Sequence, residues 1–202
     1  MYVMENLILS PQSQNVITDY INKSCLVPYE KHLLNEMLEA VEQNDQAKLD
    51  WFNSFGKDLR HMTMNLYAYR KGLEFGFTEI GFDKNGWFIQ PKFLEREDII
   101  LGNPDRFSEH SILYLGRGQN PIWTYTLDYN YGLAGGGSHI SVYDKQFNSR
   151  QEALTAGLND LKSKMTAVIG HTDTTNFKQS VILLTLNAIK HARINSVQLA
   201  LF

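Results

Sequence analysis

One cysteine, Cys25, in 202 residues leaves no internal disulfide framework, and so excludes the small secreted scaffolds that depend on one. No apolar run reaches the length of a membrane span, and no basic-plus-apolar leader opens the chain. The expected compartment is therefore the cytoplasm, with no membrane partner. A strong charge of one sign is missing too, since 19 basic and 22 acidic side chains give −3. The charge is unevenly placed. Residues 1–144 carry 12 basic and 19 acidic side chains (12 − 19 = −7), and residues 145–202 carry 7 and 3 (7 − 3 = +4). A basic C-terminal end of that size suits either contact with nucleic acid or a solvated helix face.

Catalytic groupings are also scarce. The six histidines are scattered, and only His171 and Asp173 form a close His-x-Asp pair, at a place where a helix cap is needed. Cys25 has neither a neighbouring histidine nor a glycine-marked helix start to activate its thiol. Glu95, Glu97 and Asp98 lack the further ligands that a cation site requires. The glycine-rich run Gly132, Gly135, Gly136, Gly137 and Ser138 leads toward a strand without a lysine, whereas a phosphate loop opens a helix. The expectation is a binding protein with no cofactor and no metal.

What the chain does hold is ample apolar and aromatic content for a packed core, 43% and 12%. Ser10-Pro11 starts a helix running to about Ile21. Leu33, Leu34, Met37, Leu38 and Val41 predict a second, from about Pro28 to Gln43, with Glu30, Glu36, Glu39 and Glu42 outward. Leu49, Phe52, Phe55 and Leu59 then line one face of a third. Met62 to Arg70 scores alike as helix or strand. Beyond it, Asp83-Lys84-Asn85-Gly86 predicts a turn joining strands over Leu73–Phe82 and Trp87–Gln90, followed by a polar connection over 91–110.

Further on, Ile112–Leu115, Ile122–Asn130 and His139–Tyr143 read as a three-stranded meander. Ser149 with Glu152 starts a helix lined by Leu154, Leu158, Leu161 and Met165. A last helix, capped in the Thr172-Asp173-Thr174 region, carries Phe177, Val181, Ile182, Leu186 and Ile189 to about Arg193. The predicted class is α+β: N-terminal helices over 1–61, a β-hairpin and polar connection over 62–110, a βββαα unit over 111–193, and a tail over 194–202. In it, a hairpin plus meander form an antiparallel sheet covered by the two C-terminal helices.

Two sets of residues could bind a partner. Arg117, Lys162, Lys164, Lys178, Lys190 and Arg193 are the candidate phosphate contacts for nucleic acid. Trp123, Tyr125 and Tyr129 alternate along one strand; they suit base stacking or, with Leu127, the buried face under a helix. The second set is Gln198, Leu199, Leu201 and Phe202. Two Leu and one Phe can fill a preformed apolar groove while the glutamine amide fixes register at its mouth. The same segment could instead pack Val197, Leu199 and Leu201 on its own domain.

The string Gln198-Leu199-Ala200-Leu201-Phe202 resembles the peptide by which bacterial replication and repair proteins grip the DNA sliding clamp, matching all four specifying positions. That resemblance covers five of 202 residues and implies a partner only. The segment Phe147 to Leu154, preceded by Gly135-Gly136-Gly137-Ser138, is weakly similar to segments in uncharacterised proteins of phages and conjugative elements. Together they imply an accessory role in bacterial or mobile-element DNA metabolism. The alternatives are a nucleic-acid-binding protein, and a phage or mobile-element protein that inhibits a host factor through its acidic helices.

Overall fold

The computed structural model describes residues 7–199, with side chains to residue 194. The fold is α+β, and the chain divides into two compact units, 1–91 and 92–202.

The first unit holds four helices: α1 Gln14–Lys23, α2 Pro28–Glu42, α3 Gln46–Asn53 and α4 Leu59–Glu74. The apolar stripe over Leu49 to Leu59, expected on one helix, is split between α3 and α4. Gly56 approaches His61 so closely that a Cβ there would lie 2.5 Å from the His61 Cβ. The Asp58 carboxylate then caps α4, accepting the His61 main-chain N–H at 2.9 Å. Leu34, Met37, Phe52, Phe55, Leu59, Met62 and Leu66 meet in one core. Arg70 on α4 grips Glu36 on α2 with two bonds of 2.6 Å.

Met62 to Arg70 is helix, and α4 continues to Glu74, so the strand expected over 73–82 does not form. The turn itself does. Asp83 N–H donates to the Trp87 carbonyl at 2.8 Å, Gly86 takes a positive φ of 83°, and Phe82 and Phe88 form one isolated bridge. Asn65, 2% exposed, explains why no sheet grows from it. Its amide donates to the Phe55 and Gly86 carbonyls at 2.7 and 2.8 Å and accepts the Phe88 N–H at 3.0 Å. The turn is fastened to α4.

The second unit is an antiparallel sheet in the order β1-β2-β3-β4, formed by Leu94–Gly102, His110–Arg117, Trp123–Asn130 and Gly135–Gly137. Helices α5, Arg150–Thr166, and α6, Gln179–Leu199, complete it. Strand β1 lies in the segment expected to be a polar connection. Its charged half is held by ion pairs: Arg150 grips Glu97 with bonds of 2.6 and 2.5 Å, Arg117 pairs with Glu95, and a bulge interrupts the register between Leu94 and Glu97. Only the Ile99 to Leu101 end of β1 turns apolar side chains into the core.

The strand expected over His139–Tyr143 is also absent. Gly135–Gly137 pairs with Asp128–Asn130 instead. Residues 138–146 then leave the edge of β3 and cross the other sheet face, where Ile140 and Phe93 lie over Gly116 and Val142 is buried. The Ser141 N–H donates to Asp144 at 2.7 Å and closes this excursion as a turn.

Helices α5 and α6 cover one sheet face. Leu113, Leu115, Trp123 and Leu127 pack with Leu154, Leu158, Leu161, Met165, Ile182 and Ile189. Gly157 lets α5 settle, because a Cβ there would strike Leu113 and lie 3.1 Å from Tyr125. Ser149 accepts the Glu152 N–H at 3.1 Å as expected, and Glu152 returns a bond to the N–H of Asn148 at 3.0 Å. Asp173 does not cap α6. It accepts the Thr175 and Asn176 N–H groups in a turn, and α6 begins at Gln179. That helix runs past the expected end near Arg193 to Leu199. Among the described residues, no helix is long and apolar enough to cross a membrane.

Candidate functional site

The residues expected to bind a partner all belong to the second unit. Gln198 and Leu199 lie on the last turn of α6, while Leu201 and Phe202 lie outside the described residues. Burial along the described part of α6 stops at Ile189, with Ala192 packed in part and Ile194 46% exposed. The string therefore begins more than two helical turns beyond the last buried residue described.

The six basic residues are dispersed, and several are already engaged. Arg117 pairs with Glu95, and Arg193 donates to Asn159 at 2.6 Å. The Lys164 ammonium sits 4.9 Å above the Tyr129 ring and 3.7 Å from Asp160. Lys178, just before α6, packs its stem on Gly132, and its N–H donates to the Tyr131 carbonyl at 2.7 Å. Lys162 and Lys190 are exposed. Trp123 is buried under α5 and α6, and Tyr125 and Tyr129 pack against the same core in part. None of these rings offers the open sheet platform that base stacking needs.

A third place was not legible in the sequence. Beside β3 lies a cleft of about 410 Å³, within the range of small-molecule sites. It forms because residues 138–146 depart from the strand edge and return at Phe147. Trp123 exchanges both main-chain bonds with Phe147, each 2.8 Å, and the Leu127 carbonyl takes the Ser138 N–H at 3.3 Å. Outward groups alternate along a strand, so the N–H and C=O of Tyr125 between them point into the gap.

The walls of the cleft are polar and carry both signs of charge. Asp160 on α5 lies 3.4 Å from the Tyr125 hydroxyl and 3.7 Å from the Lys164 ammonium. Burial first, then the charge of Asp160, raises the Tyr125 phenol above its ordinary range. Asp144 is half-buried, and that burial pushes its carboxyl up against the opposing effect of its bonds to Ser141. Lys145 lies 5.4 Å above the Phe147 ring. The Thr126 and Ser138 hydroxyls share a bond of 2.6 Å, and Tyr129 lies along Gly136, where a Cβ would come within 2.8 Å of its hydroxyl. The glycine run is thus a strand that makes room for a tyrosine. No signal in the linear sequence joins Tyr125, Ser138, Asp144 and Asp160, which the packing of α5 on β3 and the excursion of 138–146 bring together.

His171 Nδ1 accepts the Asp173 N–H at 3.1 Å, which gives that pair a local turn role. Among the described residues, no group of three or more His, Cys, Asp or Glu side chains is placed to hold a metal ion. No protein-family model, curated protein or solved structure matches the chain.

Proposed function

We propose that this is a cytoplasmic, non-catalytic accessory protein of bacterial or mobile-element DNA metabolism that docks on the DNA sliding clamp through Gln198, Leu199, Leu201 and Phe202. The observation that carries the reading is the string Gln198-Leu199-Ala200-Leu201-Phe202 itself. The course of α6 supports it. The described core of the second unit draws on α6 only as far as Ala192, and exposure rises by Ile194.

Burial of two Leu and one Phe in a groove contributes roughly 5–8 kcal/mol gross at ~1.5–3 kcal/mol per side chain, and ordering the peptide cancels much of it. Micromolar affinity follows. Terminal helical turns in general open at low cost. The test is binding of a purified bacterial clamp to the full chain and to a chain ending at Val197.

A further inference from the structure

We infer that the cleft beside β3 is a binding site for a small zwitterion of the α-amino-acid class. Asp144 and Asp160 face the same space as Lys145 and Lys164, so the lining sums to zero. A simple anion would meet two carboxylates there and a simple cation two ammonium groups. A ligand carrying one charge of each sign uses both.

The existing contacts leave capacity on both sides. Asp160 holds its two neighbours at 3.4 and 3.7 Å, longer than a good hydrogen bond, and can accept from a ligand ammonium. Asp144 is half-buried, and its hydrogen bonds come from the neutral groups of Ser141. An ammonium group would offset the cost of burying that carboxylate. The Lys145 ammonium rests over the Phe147 ring, and the Lys164 ammonium rests over the Tyr129 ring with Asp160 only at 3.7 Å. Neither ring is a directed acceptor and the ion pair is long, so both keep N–H donors for a carboxylate. The outward N–H and C=O of Tyr125 add a donor and an acceptor matched to an amino acid's own main-chain groups. The site belongs to the body of the second unit and does not rest on the clamp reading.

The test is a nitrogen-15 NMR titration of the full chain with L-alanine, L-leucine, L-phenylalanine, L-lysine and L-glutamate in turn. Each is compared with its decarboxylated amine and its N-acetyl form. The expected result is saturable shifts at Tyr125, Ser138 and Lys145 for at least one amino acid, with both one-charge analogues bound at least about tenfold more weakly, as for loss of a charge-assisted bond. Asp144→Asn and Lys164→Met should each weaken binding by a similar factor with unchanged circular dichroism. The Lys164 side chain is 35% exposed, so its variant gives a second reading that does not depend on the turn at Ser141 and Asp144. Saturation by none of the five overturns the proposal. So does equal binding of either analogue, or undiminished binding by both variants.

Discussion

The Arg193 guanidinium donates to Asn159 Oδ1 at 2.6 Å, tying α6 to α5 four residues before Val197. Past this bond, Ile194, the last residue whose side chain is described, is 46% exposed. The cut proposed for removing the docking string therefore leaves the tie between the helices in place, and a chain ending at Val197 should keep the stability of the full chain to within about 0.5 kcal/mol. Denaturant unfolding of both chains checks this before any binding result is read.

Asn65 predicts a large loss at a single polar residue. Its side chain makes three bonds, to the Phe55 and Gly86 carbonyls and from the Phe88 N–H, at a site 2% exposed. Asn65→Ala strands one buried and two part-buried main-chain groups and should cost about 2–4 kcal/mol. A loss under about 1 kcal/mol in urea titration would contradict the role given to it in fastening the turn to α4.

Thr185 predicts the opposite sign. Its hydroxyl is fully buried in α6 and is the one buried side-chain polar atom without a partner among the described residues. Thr185→Val keeps the shape and removes the unpaired group, so it should stabilise by about 1 kcal/mol. A calorimetric melting temperature that falls would count against the packing described for α6.

Acid should weaken both units through their arginine pairs. Hydrogen bonding to Arg70 holds the Glu36 carboxyl below its usual range, and Arg150 does the same for Glu97, against the opposing effect of burial. A depressed folded value means the unfolded chain binds more protons, so this stability is present above the ordinary carboxylate range and lost as pH falls through the lowered values. Glu97 and Arg150 are more than a third exposed, so solvent screening keeps their share near or below about 1 kcal/mol. Asp144 runs the other way. Its raised carboxyl makes ionisation unfavourable in the fold, so Asp144→Asn should raise stability at neutral pH and leave it nearly unchanged in acid. Unfolding midpoints across the acid range separate the two signs.

Strong periodicity and side-chain capping were legible from the sequence. Leu33 to Val41 marks α2, and Ser149 with Glu152 marks the start of α5, because apolar spacing and a local cap need no distant partner. Strand β1 was hidden because Glu95 to Asp98 look solvated until Arg117 and Arg150 arrive from elsewhere to pair with them. The strand expected over 73–82 yielded to helix α4 and to Asn65, ten and twenty-three residues from Phe55 and Phe88 in sequence. Candidate partner residues on α6 could be named from local order. The cleft could not, since Asp160 reaches Tyr125 across 35 residues.

The most direct measurement is calorimetric titration of a purified bacterial sliding clamp with the full chain and with the chain ending at Val197, at moderate salt. Clamp docking through Gln198, Leu199, Leu201 and Phe202 predicts micromolar binding by the full chain and none by the shortened one. Equal binding by both, or binding by neither, would contradict it.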